Sequence, residues 1–291
     1  MTIGKFFAVH RGHQALLRAT VEAARAADAE AVAVTFDRHP LEVLRPGTRL
    51  PLLATLDERL DLIEALGIDT TVVARVTTEF LAQEPEEFVR RVLVEDLGAV
   101  EVLASGNFRF GHRARGDTAL LRRLGAELGF RFIDVPPVME GGERISSSRI
   151  ARCIEAGRVL EAARLLGRPY SIAGEVVAGE QLGRRLGFPT ANVQLPPERL
   201  LPADGVYVVQ AEWNGGAVPG VANLGVRPTL GGRQRLLEVH LPAWEGDLYG
   251  RELRVAFLDY LRGEERFPDL EALKAQIARD VETARSRFPA P

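Results

Sequence analysis

One short stretch decides how this chain is interpreted: Gly187-Phe188-Pro189-Thr190-Ala191-Asn192. Thr190 and Asn192 stand two positions apart, so in an extended strand both side chains point to the same face. Their neutral oxygens suit Mg²⁺ when the anionic ligands come from substrate phosphates, and Pro189 stiffens the approach without donating a hydrogen bond. The stretch therefore predicts a magnesium and phosphate site. The alternative is an ordinary turn that leads into a strand.

A run rich in glycine and arginine precedes that stretch. Gly179 and Gly183 allow the backbone to come close to a bulky ligand, and Arg184 favours phosphate oxygens. We therefore expect a phosphate-binding loop directly before the Thr190 strand.

The residues after Tyr170 alternate with a period of two. Leu236, Glu238 and His240 share one face of a predicted strand, with apolar residues between them on the other face. Several short strands of this kind, separated by turn signals, indicate an antiparallel β-barrel. Helical spacing of apolar residues over 269–285 predicts a packed C-terminal helix.

The first half of the chain alternates short apolar runs with amphipathic helices. One helix has readable ends, since Thr55 and Glu58 form a capping box at its start. Alternation of strands and helices predicts a parallel sheet covered on both faces, with ligands outside the carboxyl ends of the strands. The predicted buried strands are residues 31–36, 70–76, 100–104 and 130–135.

Arg168-Pro169 interrupts the helical pattern, and we place the domain boundary there. The predicted fold class is α/β. A Rossmann-like domain over residues 1–168 is followed by an antiparallel β-barrel domain over residues 169–291, which ends in the C-terminal helix.

The stretch from Gly187 to Asn192, behind its glycine-rich loop, resembles the signature of riboflavin kinases. From about Thr2 to about Arg285 the chain resembles the prokaryotic bifunctional riboflavin kinases/FMN adenylyltransferases, also called FAD synthetases. The resemblance implies a nucleotidyltransferase domain over residues 1–168 and a riboflavin kinase domain over residues 169–291. It implies that ATP with Mg²⁺ converts riboflavin to FMN, and that ATP then adenylylates FMN to FAD with release of pyrophosphate.

The resemblance assigns roles in the kinase domain. In the family, the glutamate of a Glu-Val-His pattern accepts the proton of the attacking alcohol, and here that residue is Glu238. Thr190 and Asn192 are expected to hold Mg²⁺ together with the ATP phosphates. Arg262 lies in a segment similar to the family's flavin side, where a flavin contact and a structural role both stay open. Glu238 as a rim ion pair or solvated acid is the alternative.

In the first domain, His10 and His13 match the His-x-Gly-His motif of the nucleotidyltransferase superfamily. In that superfamily the imidazoles stabilise charge on the transferring phosphate at a helix N-terminus, which we place at about Gln14. Two surface histidines are the alternative. Asn107 lies in a loop that resembles the family's flavin-side loop, and we expect it to be a polar contact.

Another stretch of this chain resembles the second signature of the superfamily: Ile145-Ser146-Ser147-Ser148-Arg149-Ile150. Serine hydroxyls and backbone amides at a helix start can hold the β- and γ-phosphates. The alternative is a plain helix cap with repeated serines. The residues expected to bind nucleotide here are Ser146, Ser147, Ser148 and Arg149.

Three residues depart from the family. Phe7 stands where an acid is usual, Ala8 stands where glycine is usual, and Ala151 stands where arginine is usual. Ala8 adds a Cβ where a positive φ or a close ligand approach is expected. The lead-in Met1-Thr2-Ile3 is shorter than in the family, which leaves the natural start open. These departures predict weak FAD formation and leave two alternatives: a riboflavin kinase with a structural first domain, or a non-enzymatic flavin-binding protein.

Composition narrows the class of partner. The net charge of the 291 residues is −3, so no basic footprint predicts a nucleic-acid partner. Cys153 is the only cysteine, which excludes a disulfide within the chain. We expect no signal peptide, and the sequence contains no 18-residue apolar run. We expect a cytoplasmic protein without a membrane partner, whose ligands are riboflavin, FMN, FAD and ATP, and whose oligomeric state is open.

Overall fold

The computed structural model describes residues 1–179, 182–214, 216–229 and 232–288. The chain divides into two compact units, Met1–Ser147 and a second unit that begins at Ser148. Each unit has a sheet of its own. The boundary after residue 168 stays a prediction.

The first unit is built on a five-stranded parallel sheet with the order β3-β2-β1-β4-β5. The strands of this sheet are β1 Thr2–Ile3, β2 Val32–Phe36, β3 Thr70–Ala74, β4 Glu101–Ser105 and β5 Arg131–Val135. A separate two-stranded hairpin consists of β6 Met139–Glu140 and β7 Glu143–Arg144. The helices of the first unit are α1 Arg11–Ala26, α2 Pro40–Leu44, α3 Leu56–Glu64, α4 Thr78–Ala82, α5 Pro85–Glu87 (which continues as a π-helical segment, Phe88–Asp96) and α6 Thr118–Leu128, with a 3₁₀ turn at His112–Ala114.

Both faces of this sheet carry a hydrophobic core, as the alternation of strands and helices predicts. Val102 of β4 packs on the face that contacts Leu93 and Leu121. Its neighbour Leu103 packs on the opposite face, with Leu17 of α1 and Ile63 of α3. Adjacent residues of a strand point to opposite faces, so the sheet is covered by helices on both sides.

Two of the four predicted buried strands are less buried than expected. β3 and β5 are the edges of the sheet, and each has exposed residues at its first and fourth positions. An edge strand has a neighbour on one side only, so part of its surface stays in contact with solvent. The prediction of buried strands is therefore wrong for these two.

The second unit is a closed antiparallel barrel with the strand order β10-β11-β12-β9-β8-β13. Two helices precede it: α7 Ser147–Glu155 and α8 Val159–Leu166. The strands are β8 Tyr170–Val177, β9 Thr190–Val193, β10 Gly205–Trp213, β11 Gly216–Thr229, β12 Gly232–His240 and β13 Glu252–Arg262, with the short helix α9 Leu182–Leu186 before β9 and the C-terminal helix α10 Leu270–Arg285.

The barrel strand β10 is buried on both faces. Tyr207 points into the barrel and has no exposed surface. Val206 and Val208 point outward, where Val281 and Ala284 of α10 cover them. The outer side of the barrel is therefore apolar under α10.

Among the residues described, no helix is long and apolar enough to cross a lipid bilayer. The cytoplasmic location stays a prediction.

Candidate active sites

A row of polar side chains crosses three neighbouring strands of the barrel. Glu238 of β12 lies directly opposite Asn192 of β9 on one side and Asn223 of β11 on the other. Residues directly opposite each other in an antiparallel pair point to the same face. Leu237 and Val193, the next pair in the register, are buried inside the barrel. The polar row therefore lies on the outer face.

The next pair along the same face is Thr190 and His240. Thr190 and Asn192 thus share a face, as strand alternation predicts, and Glu238 lies on it too. The register adds what the sequence alone could not give, namely that Glu238 is the cross-strand neighbour of Asn192. Asn223 completes the row.

The Asn192 side chain has the properties of a ligand to a small cation. The residue is 5% exposed, and its Oδ1 is buried without a hydrogen-bond partner among the residues described. A buried oxygen without a partner costs free energy in the empty protein. A cation or a substrate group bound there would remove that cost.

The two predicted loop glycines lie against these ligands. A Cβ added at Gly179 would overlap the amide of Asn192. A Cβ at Gly183 would overlap the Phe188 carbonyl oxygen and come within 3.2 Å of Thr190 Oγ1. Only glycine permits such close approach, so the loop and the start of β9 form one packed unit.

His240 fixes the start of β9. Its Nδ1 lies 2.8 Å from the Pro189 carbonyl oxygen, so in this tautomer Nδ1 carries the proton and donates it. Its ring meets the Phe188 ring edge-on, with 5.5 Å between centroids. The sequence placed His240 in the Glu-Val-His pattern without a role, although its spacing of two from Glu238 already put it on the same face.

Two predicted arginines of the barrel unit have different surroundings. Arg184 is exposed on α9. Arg262 donates to both carboxylate oxygens of Asp280 on α10 and to the Gly263 carbonyl oxygen. Hydrogen bonding to Asp280 raises the pKa of Arg262. These contacts fasten α10 to β13, and the flavin contact of Arg262 stays a prediction.

His10 and His13 lie at the start of α1 in the first unit. The helix begins at Arg11, three residues earlier than predicted, because His10 caps it: its Nδ1 accepts from the His13 backbone N–H at 3.2 Å. The rings of His10 and His13 stack with 3.6 Å between centroids. Since Nδ1 of His10 accepts a hydrogen bond, its neutral ring carries the proton on Nε2.

His13 is held in the neutral form. Burial, and then the nearby His10, lower its pKa well below the usual value. The residue as a whole is half-buried, but its Nδ1 is enclosed and lacks a hydrogen-bond partner among the residues described. His13 can therefore act on a phosphate as a neutral hydrogen-bonding group rather than as a cation.

The turn before the histidines has its positive φ values at Phe6 (47°) and Val9 (40°). At Ala8, where we expected a positive φ or a close ligand approach, φ is not positive, and the ligand approach stays a prediction. Ala8 has no exposed surface. The centroids of the Phe7 and His39 rings are 5.2 Å apart. The guanidinium carbon of Arg59 lies over the Phe7 ring, 4.9 Å from its centroid.

The remaining predicted residues lie near element ends. Ser147 is the first residue of α7, with Ser146 before it and Ser148 exposed after it, which confirms the predicted helix start. Arg149 lies 3.7 Å from Glu161 of α8. The nucleotide role of these four residues stays a prediction.

Asn107 is exposed in the bend that follows β4, and β4 is the sheet neighbour of β1. The sheet order reverses at this pair of strands, which is where open parallel sheets bind ligands. Asn107 and the histidine turn therefore follow the carboxyl ends of adjacent strands. Its flavin contact stays a prediction.

Three or more His, Cys, Asp or Glu side chains do not cluster as a metal site anywhere in the described ranges. The magnesium ligands predicted from the sequence, Thr190 and Asn192, are neutral oxygens and do not need such a cluster.

Comparison with known proteins gives the family. The riboflavin kinase profile matches residues 166–288, and the FAD synthetase profile matches residues 1–149. The bifunctional riboflavin kinase/FMN adenylyltransferase of Escherichia coli K12 is 40% identical over 289 residues, which cover 99% of this chain and 92% of the relative. The protein of the same name from Pseudomonas fluorescens is 41% identical over 286 residues, which cover 98% and 91%.

A solved structure confirms the fold. A crystal structure described as a macrolide-efflux protein from Streptococcus pneumoniae is 30% identical, with a TM-score of 0.91 over 98% of this chain and 93% of that one. The predicted fold class and the resemblance stated above are both confirmed. The chain belongs to the family of bifunctional riboflavin kinases/FMN adenylyltransferases.

Proposed function

We propose that the barrel unit phosphorylates riboflavin to FMN with ATP and Mg²⁺, and that the first unit transfers AMP from ATP to FMN, giving FAD and pyrophosphate. The observation that supports the proposal is the placement of Glu238 directly beside Asn192, whose Oδ1 is buried and has no hydrogen-bond partner among the described residues. A base next to a ligand position for a cation is the minimum that phosphoryl transfer to an alcohol needs.

Thr190 and Asn192 would hold Mg²⁺. Gly179 packs against the Asn192 amide, and Asn192 Oδ1 has no hydrogen-bond partner among the described residues; both fit a small cation whose charged ligands are the substrate phosphates. When bound, the ion neutralises charge on the β- and γ-phosphates. His240 keeps Thr190 in place through the Pro189 carbonyl.

Glu238 would act as the general base. As the terminal hydroxyl oxygen of the ribityl chain attacks the γ-phosphorus of ATP, its proton passes to the Glu238 carboxylate. The bond between the γ-phosphorus and the bridging oxygen then breaks, and ADP leaves.

Adenylyl transfer would need no base, because a phosphate oxygen of FMN attacks the α-phosphorus and pyrophosphate leaves. The start of α1 and the two histidines would stabilise the charge that develops there. His13 would do so as a neutral group, since its pKa lies well below the usual value.

One incubation tests both activities: the protein with riboflavin, ATP and Mg²⁺, followed by chromatographic separation of FMN and FAD. FMN and FAD together support the proposal. FMN alone would favour the second candidate, a riboflavin kinase with an impaired first domain (residues 1–168), which the residues Phe7, Ala8 and Ala151 motivate. Absence of ATP consumption in the presence of riboflavin would contradict both.

A further inference from the structure

Arg59 is a buried arginine that the proposed chemistry does not use. It lies on α3 and is 3% exposed. Its Nη1 donates to the carbonyl oxygens of Lys5 (3.2 Å) and Phe36 (3.0 Å) and to Thr35 Oγ1 (3.3 Å), and its Nη2 also donates to Phe36 O (3.0 Å). One side chain thus joins the carboxyl ends of β1 and β2.

The bonds of Arg59 go to neutral oxygens. Burial lowers its pKa to about 10, while the Asp37 carboxylate acts in the opposite direction, so the guanidinium stays charged at neutral pH. Its Nε is buried without a hydrogen-bond partner among the residues described. A buried charge that is only partly compensated is expensive. The structure around Arg59 must therefore hold it firmly.

The turn that Arg59 holds is strained. Phe6 and Val9 have positive φ values, which non-glycine residues adopt rarely and keep only where surrounding contacts enforce them. The Lys5 carbonyl oxygen, directly before Phe6, accepts from both Arg59 and Thr35.

This turn passes the constraint on to the histidines. The Phe6 ring is fully buried and meets the His13 ring edge-on, with 5.2 Å between centroids. His13 stacks on His10 at 3.6 Å. A continuous series of contacts therefore runs from Arg59 through Lys5 and Phe6 to the two histidines.

We propose that Arg59 is a positioning residue for adenylyl transfer, which holds the strained turn at residues 5–9 and thereby places His10 and His13. Phe7 adds to this arrangement, because its ring packs against the same guanidinium at 4.9 Å. The inference rests on the proposed function of the first unit.

The kinetic test compares Arg59→Met with Asp61→Ala, a control at an exposed position of the same helix. For Arg59→Met we expect kcat for FAD formation from FMN to fall about 10- to 100-fold, since a displacement of about 1 Å can cost 10²-fold. KM for FMN and ATP should stay within about twofold, because Arg59 is buried and is proposed to act through the turn rather than on a substrate. Asp61→Ala should leave both activities unchanged, and the riboflavin kinase rate is an internal control in every variant.

The second readout needs no substrate and no turnover. The chain has five histidines, so the ring resonances can be followed individually by NMR. In Arg59→Met the signals of His10 and His13 should move, and in Arg59→Lys, which retains a donor and the charge, they should return most of the way. His240, in the other unit, should not respond in either variant.

The outcomes separate the inference from the function on which it rests. An unmodified chain that makes no FAD would contradict the proposed function, and the histidine signals would then decide on Arg59 alone. Unmoved His10 and His13 signals, or a kcat for Arg59→Met within twofold of the unmodified chain, would overturn the inference. So would a raised KM with kcat unchanged. If Arg59→Met does not fold, Arg59→Gln is judged by the same criteria.

Discussion

The two candidate sites of this chain are positioned in different ways. In the barrel, Asn192, Glu238 and Asn223 form a row because their strands pair in a fixed register. In the parallel-sheet unit, His10 and His13 follow an irregular turn held by residues far away in the sequence, such as Arg59. A site set by strand register depends on regular backbone geometry. A site set by a turn depends on individual contacts, and single substitutions can therefore impair it more easily.

Glycine usage shows the same contrast. The barrel site has Gly179 and Gly183 where a Cβ would collide with Asn192 or with the chain before Thr190. The turn of the first unit has Phe6 and Val9 where the backbone adopts positive φ. The barrel loop therefore uses glycine where the geometry demands it, whereas the turn keeps a costly conformation with bulky residues.

The largest effect is expected at the register-set site. Glu238→Gln should fold normally and lose riboflavin kinase turnover by roughly 10²- to 10⁴-fold, the usual contribution of a general base. Steady-state assays of FMN formation measure it, with FAD formation from supplied FMN as the internal control. A loss of less than about fivefold would remove Glu238 from the base role.

Restoring the three family residues should raise the activity of the adenylyl-transfer site. We expect Phe7→Asp, Ala8→Gly and Ala151→Arg together to raise FAD production from FMN and ATP, with the kinase rate unchanged. An arginine that hydrogen-bonds phosphate contributes about 1.5–3 kcal/mol, which corresponds to about 10- to 150-fold in rate. Phe7→Asp would also place a carboxylate beside the guanidinium of Arg59.

The rate of FAD formation by the unmodified chain can contradict this prediction. If the unmodified chain makes FAD at a rate comparable to its kinase rate, the first unit is not impaired. The three departures would then be neutral.

Substituting the proposed metal ligands should lower activity without lowering the unfolding free energy. Thr190→Val and Asn192→Leu should weaken the use of ATP·Mg²⁺ by roughly 10- to 100-fold, in the range seen when residues that support a metal are lost. Riboflavin titrated without nucleotide should bind almost as before. Asn192→Leu also removes a buried oxygen that has no hydrogen-bond partner in the described part of the chain, so the unfolding free energy of this variant should stay the same or rise. Loss of flavin affinity with intact nucleotide use would contradict the assignment.

The smallest expected effect is a pH dependence of the unfolding free energy, which should occur in the first unit through His13. The pKa of folded His13 is lowered, whereas an unfolded histidine titrates near about 6.5. Above that pH both states are neutral and the full stability is present. As pH falls below it, the unfolded state binds the proton first, and stability falls by at most about 1.4 kcal/mol per pH unit.

Chemical unfolding at pH 7.5 and 5.5 measures this effect. His13→Gln removes the titrating group. Between the two pH values it should lose less unfolding free energy than the unmodified chain, as measured by circular dichroism. Both tryptophans, Trp213 and Trp244, lie in the barrel unit, so their fluorescence should report an equal pH response in the two proteins. Equal responses by circular dichroism as well would show that His13 is not the group responsible.

Local sequence patterns predicted much of the architecture for identifiable reasons. Strand alternation placed Thr190 and Asn192 on one face, and the capping box at Thr55 and Glu58 is present as predicted. Periodicity could not tell which strands are edges, so β3 and β5 were expected to be buried like the central strands. Nor could it predict that His10 caps α1, because histidine is not among the preferred cap residues.

Arg59 shows most clearly what the sequence did not reveal. It stands four residues before Ile63, and these two are the buried residues of α3. A charged residue at that position was a visible signal, but its partner Lys5 lies 54 positions away. Contacts of that range depend on how the sheet is assembled, which local patterns do not encode.

The barrel is closed by a short ladder between β8 and β9, and Asn192, a proposed magnesium ligand, lies in it. Between β8 and β9 the ladder consists of the pairs Val176 with Val193 and Val177 with Asn192, the shortest ladder in the described part of the barrel. A short ladder is the natural place for a barrel to open transiently. A ligand held by Asn192 would brace that ladder, so nucleotide binding should slow amide hydrogen exchange at Val176 and Val193. Substrate occupancy would thereby set how often the barrel opens.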